Sequence, residues 1–151
     1  VDYSDVVNQL TPCGLDCGRC ADFKGGEIRE LSTKMIELLG NYTRVAQMKA
    51  ATKPEFEHYD EFLAILNSFS QASCSGCRLE ESVRLMSCPI DCPLKDCSAK
   101  GVNFCFQCQE YPCENLSNSG FGEWVRQRND RMKEIGVAAY MEERLKEPRY
   151  P

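Results

Sequence analysis

Apolar residues recur at helical spacing in several separate stretches of the chain. From Glu27 onward, Ile28, Leu31, Met35, Leu38 and Leu39 fall along one side of a helix, and Gly40 is the expected stop. Residues 43–51 predict a short second helix. Pro54 occupies a first helical position, where proline is tolerated. Beyond it, Phe56, Tyr59, Phe62, Leu63, Leu66 and Phe69 mark another apolar face. That aromatic stripe is expected to be core rather than a ligand box. Toward the end, Tyr111-Pro112 opens a helix with Leu116 on its inner face. Phe121, Trp124, Val125, Arg128 and Met132 predict the next one, and Gly136 interrupts the pattern. Val137, Tyr140, Met141 and Leu145 carry a last helix before Pro148. Residues 1–12 read as a short polar lead ending in Thr11-Pro12. No stretch reads as a strand of more than four residues, and no long repeat is present.

The periodicity fails where the cysteines gather. Eight of the eleven lie between Cys74 and Cys113, and the other three form a compact group upstream. The group Cys13-Gly-Leu-Asp-Cys17-Gly-Arg-Cys20 has offsets that a helix would also align, but Gly14 and Gly18 argue for a tight loop. Residues 74–113 hold Gly, Pro and Ser between thiols, predicting loops, turns and one short helix near Glu80–Met86. The fold expected is therefore mainly α and forms a single domain over residues 1–151. It has a helical insert at about 21–73, a thiol-rich lobe from 74–113 plus 13–20, and C-terminal helices over 114–147.

Three Cys-x-x-Cys pairs occur: Cys17/Cys20, Cys74/Cys77 and Cys105/Cys108. Two intervening residues let a tight turn aim both sulfurs at one ion. One such pair is a weak signal, but three pairs with Cys13, Cys88, Cys92, Cys97 and Cys113 beside them point to metal. All eleven thiols are candidate ligands, and spacing alone does not assign them to sites. Thiolates select soft or borderline ions, and zinc is the first choice. A closed zinc site supplies folding energy to a loop-rich segment with little core of its own. Arg19, Arg78 and Lys95 stand next to thiols, where they either offset the charge of such a centre or are solvated.

An iron–sulfur cluster is the main alternative. Cys13, Cys17 and Cys20 have the three-thiol spacing of radical-SAM enzymes, but the βα pattern of a partial barrel is missing. An electron carrier needs only four thiols, although Cys88-x3-Cys92-x4-Cys97 does not match the bacterial ferredoxin run. A thiol-based redox sensor is a third class, in which oxidation ejects metal. His58, the single histidine, is expected at the surface or in helix packing. Asp16 and Asp91 each precede a cysteine and are expected to form turns or accept N–H groups. No phosphate loop, nucleophile elbow or His-Glu-x-x-His motif marks an enzyme.

Charge and cysteine usage narrow the setting. The formal net charge is −5, and two Zn(Cys)4 sites would deepen it to about −9. Such a chain is a poor match for nucleic acid, so protein partners are expected. An odd number of cysteines fits a fully paired secreted monomer badly. No signal-peptide pattern opens the sequence and no apolar run is long enough to span a bilayer, so the expected location is the cytoplasm, where thiols stay reduced.

The cysteine segments resemble a known family. Cys13-Gly-Leu-Asp-Cys-Gly-Arg-Cys20, Cys74-Ser-Gly-Cys77 and Cys92-x4-Cys97 carry the first part of the likeness. Cys105-Phe-Gln-Cys108-Gln-Glu-Tyr-Pro-Cys113-Glu-Asn-Leu116 carries the rest. Together they are similar to the prokaryotic family called domain of unknown function 3795, and Met132-Lys-Glu-Ile-Gly-Val-Ala-Ala-Tyr140 resembles its longer members. The resemblance implies a small cysteine-rich bacterial or archaeal protein that binds zinc, with no established activity. Cys88 stands where members vary.

Overall fold

The computed structural model describes residues 2–78 and 101–150. Among them the regular structure is helical: α1 (Tyr3–Gln9), α2 (Glu27–Leu39), α3 (Thr43–Ala50), α4 (Tyr59–Ser70), α5 (Glu114–Ser117), α6 (Gly122–Ile135) and α7 (Val137–Leu145). The mainly α expectation holds, and β pairing among these residues is limited to two isolated bridges. The helix expected near Glu80–Met86 lies outside the described residues. Pro54 opens a 3-10 segment, Pro54–His58, which runs directly into α4.

Helix α1 corrects the reading of residues 1–12 as a polar lead. Tyr3, Val6, Val7 and Leu10 stand at offsets of 0, 3, 4 and 7, and Val6 and Leu10 are buried. Seven residues are too few to hold a helix alone. The element exists because it packs on α7. The main core lies there, where Val6, Leu10, Phe104, Met132, Val137, Tyr140 and Met141 form one buried cluster. Phe104 sits edge-on to Tyr3 and stacks on Phe106. Arg131 on α6 pairs with Glu143 on α7 at 2.5 Å, holding the C-terminal hairpin shut across its solvent face.

The insert is a second, simpler unit. Helices α2 and α4 pack together, with α3 and the 3-10 segment closing the far end. Arg29 near the start of α2 donates to the Ser70 carbonyl at the end of α4 (3.1 Å), so the two run antiparallel. The less exposed positions include Ile28, Ser32, Ile36 and Leu39 on α2 and Tyr59, Leu63, Leu66 and Ser70 on α4, which mark their line of contact. Of the predicted aromatic stripe only Tyr59 is buried; Phe62 and Phe69 are exposed. The stripe is wider than one partner helix covers, which corrects the expectation that it is core.

A candidate thiolate metal centre

Residues 11–20 form a loop, as the glycines predicted. The Leu10–Asp16 bridge closes it, with Thr11 N–H donating to the Leu15 carbonyl at 2.9 Å. The N–H groups of Cys17 and Gly18 both donate to the Gln9 carbonyl, which serves the open end of α1. Gly14 has φ +80°, and a side chain there would meet Arg128 Cβ at 2.8 Å. The glycine therefore lets α6 approach the loop closely. The Thr11 hydroxyl and the Cys13 sulfur are 2.9 Å apart. Asp16, almost fully buried, accepts from Arg19 N–H and pairs with the Arg19 guanidinium. It is the turn-former that its position before Cys17 suggested.

The second bridge pairs Phe23 with Cys74. Cys74 N–H donates to the Asp22 carbonyl and Lys24 N–H to the Cys74 carbonyl, each at 2.9 Å. Two short hydrogen bonds thus set the Cys74/Cys77 pair beside the Cys17/Cys20 pair, across the base of the insert. Cys17 and Cys77 line one cavity of about 310 Å³. Arg78, next in the chain, reaches back to the Val7 and Leu10 carbonyls at 2.9 Å each and lies over the Phe104 ring. A cation at the C-terminal end of α1 suits both the helix dipole and its unmet carbonyls. Burial pulls the Arg78 guanidinium below its usual range; Tyr3, then Cys77, Cys13 and Cys105, act against that pull.

The third pair is tied to the first loop. Cys105 N–H donates to the Pro12 carbonyl at 3.3 Å, and Cys108 N–H closes its turn on the Cys105 carbonyl at 3.0 Å. Cys20 N–H closes on the Cys17 carbonyl at the same distance, so these two Cys-x-x-Cys turns share one backbone bond. Cys105 is buried with Leu116 and Val125, and Cys13 and Cys113 pack against that cluster. The thiol lobe thus has apolar packing that its glycine-rich sequence did not suggest.

Residues 9–118 match the family model described as Protein of unknown function (DUF3795). The chain belongs to this family. The DUF3795 match spans both thiol loops and the insert, and ends before α6 and α7. No curated protein and no solved structure matches the chain. Among the described residues, no helix of this DUF3795 member is long and apolar enough to cross a membrane.

The fold therefore draws candidate ligands from distant parts of the chain toward one another. Cys17 and Cys77 line one cavity, Cys74 is bridged to Phe23, and Cys13, Cys105 and Cys113 pack in one apolar cluster. None of the eight described cysteines is joined to another by a disulfide, and soft thiols of this kind are chemically suited to zinc. Among the described residues no three Cys, His, Asp or Glu side chains are already grouped around a single point. Cys88, Cys92, Cys97, Asp91 and Lys95 lie outside the described residues. His58 is exposed near Glu61, as expected of a surface histidine.

Two features escaped sequence reasoning. Buried Asn129 on α6 donates to the Pro12 carbonyl at 3.2 Å and the Val125 carbonyl at 3.0 Å, and accepts from Phe106 N–H at 3.1 Å. One amide thus braces the first thiol loop and the Cys105/Cys108 turn. An asparagine inside a helical pattern gives no local hint of that role. The second is the chain end. Arg19 donates to the carbonyls of Arg144 and Glu147 at the end of α7, so it clamps the chain end and is not simply a solvated charge. Arg149 donates to the Asp16 carbonyl, and the Tyr150 hydroxyl lies between Ala21 N–H and the Cys20 sulfur.

Proposed function

We propose that the chain is a zinc-binding module that works through protein interaction or regulation, with cysteine thiolates as ligands. The reading rests on the Phe23–Cys74 bridge, where two Cys-x-x-Cys segments from opposite ends of the insert meet. The first proposed ligand set is Cys17, Cys20, Cys74 and Cys77. The second is Cys13, Cys105, Cys108 and Cys113. Zinc held by four thiolates supplies folding energy and no reaction step. The protein supplies the rest: the two bridges and Asn129 bring the thiol-bearing segments together, and the lobe carries the insert.

The insert supplies the interaction surface. Leu31, Met35 and Leu38 on α2, and Phe62, Ile65 and Phe69 on α4, are all exposed, Leu38 by 76%. Each triplet is rotated by roughly 90° in the same sense from the line of contact. In an antiparallel pair that places both on one side. The face amounts to on the order of 600 Å² of apolar surface, at the upper end for the largest patch on a monomer. Its proposed occupant is a second copy of this chain. Two such faces across a twofold axis bury about 1,200 Å², where specific interfaces begin.

Elemental analysis of protein purified without chelator tests the metal, with X-ray absorption for its ligands. The expected result is zinc in an all-sulfur shell. Cys17→Ser and Cys77→Ser should each remove the same equivalent, and Cys108→Ser a different one. A protein that folds cooperatively with no metal sinks the reading; a brown, iron-containing one moves it to the iron–sulfur alternative. Sedimentation tests the second copy: Ile65→Glu should convert a dimer to a monomer without changing the metal content.

A further inference from the structure

A small cavity of about 150 Å³ lies between the first thiol loop and the end of α7. Four guanidinium groups line it, those of Arg19, Arg128, Arg144 and Arg149, against two carboxylates, Asp16 and Glu147. Asp16 is paired with Arg19, and Glu147 with Arg144 at 2.9 Å. Among the described residues no carboxylate pairs with Arg128 or Arg149. Two positive charges are therefore left over in one confined space, on a chain whose net charge is −5.

The donors are held in place. The Arg128 guanidinium carbon lies over the Trp124 ring, 3.4 Å from its centre, which restrains its position. Arg149 spends its Nε–H on the Asp16 carbonyl at 2.6 Å, leaving its two terminal nitrogens for another acceptor. Arg144 Nε is buried and has no hydrogen-bond partner among the described residues. A buried donor without an acceptor is rare in a folded protein and calls for an explanation. Like-charged groups are also costly to hold together unless something negative lies among them.

We propose that this cavity is a binding site for a phosphate group. Guanidinium forks match tetrahedral oxyanions, each donating to two oxygens in a charge-assisted geometry. The two unbalanced charges match a phosphate or phosphate monoester, which carries roughly −1.5 to −2 near neutral pH. The cavity is smaller than the ~300 Å³ at which pockets for drug-sized ligands begin. It takes the phosphate itself, with any organic substituent directed to solvent. The site uses none of the cysteines and stands independently of the metal reading.

The test is calorimetric titration of the purified full chain with inorganic phosphate and, separately, with glycerol phosphate, in a background of sodium chloride. Saturable binding of either compound supports the site. Phosphate binding alone identifies the free ion as ligand, and tighter binding of the ester identifies an esterified one. Arg149→Met should weaken binding about tenfold, Arg149→Lys less, because lysine keeps the charge and loses the fork. Arg128→Met should do the same, and Arg126→Met, outside the cavity, should leave it unchanged. No binding beyond the effect of salt overturns the proposal, as does equal weakening by Arg126→Met. So does an Arg149→Met variant that loses metal while phosphate binds neither protein, because the arginines then serve the thiolate centre.

Discussion

The insert is built of regular helices, yet many of its large apolar side chains face solvent. The segments around Cys13 and Cys105 have little regular backbone, yet they pack on helices α5 and α6, where Leu116, Val125 and Met132 are buried with Phe104. A regular backbone thus does not by itself secure burial in this small protein. In the insert, backbone hydrogen bonds are satisfied locally, so the helices need only one line of contact. In the lobe they are satisfied between segments far apart in sequence: Gln9 with Cys17, Pro12 with Cys105, Asp22 with Cys74. A region organised this way depends on particular distant residues, whereas the insert tolerates change on its outer face.

Four experiments sharpen or break that contrast. The largest effect is expected from removing metal. On the zinc reading, chelation should abolish amide protection in residues 13–23 and 104–113 while α2 and α4 keep theirs, as followed by hydrogen exchange. Equal loss everywhere would erase the distinction. Next, Phe104→Ala should destabilise by about 3–5 kcal/mol in urea unfolding, against about 0.5 kcal/mol or less for Met48→Ala on α3, outside the proposed dimer face. Comparable values would mean that Met48 is covered in solution.

Asn129→Leu comes third. It strips partners from the Pro12 carbonyl and the Phe106 N–H, at a cost of about 2–3 kcal/mol. A neutral substitution would show that the two thiol segments hold each other without the brace. The smallest effect is electrostatic and confined to the C-terminal hairpin. Hydrogen bonding from Arg131 lowers the pKa of Glu143 below the ordinary carboxylate value. A depressed carboxylate contributes stability above its unfolded pKa and loses it as pH falls through the folded one. Wild type should therefore melt slightly above Glu143→Gln at neutral pH, with the gap closing in acid. A gap independent of pH would assign the effect to packing.

Much of the fold was legible in the residues. Helix α2 and its glycine stop, α3, the proline that opens the segment into α4, and the pair divided at Gly136 all follow from apolar spacing and punctuation. So do the loop at Cys13–Cys20 and the turn-forming role of Asp16. Helix α1 was not legible, because its few residues owe their helicity to α7. The outward face of the insert was not legible either, since an apolar stripe has the same pattern whether or not a neighbour covers it. The cysteines announced thiol chemistry by their number and pairing. The contacts between their segments, the bracing by Asn129 and the arginine cavity at the chain end were silent.

The physical reason is one of range. Helical periodicity, glycine stops and Cys-x-x-Cys turns depend on residues a few positions apart, so the chain determines them by itself. Which thiols become neighbours depends on backbone bonds between segments separated by the whole insert, and which arginines share a cavity depends on where α7 ends against the first loop. Those contacts exist only once the helices have packed, and only the tertiary structure decides them.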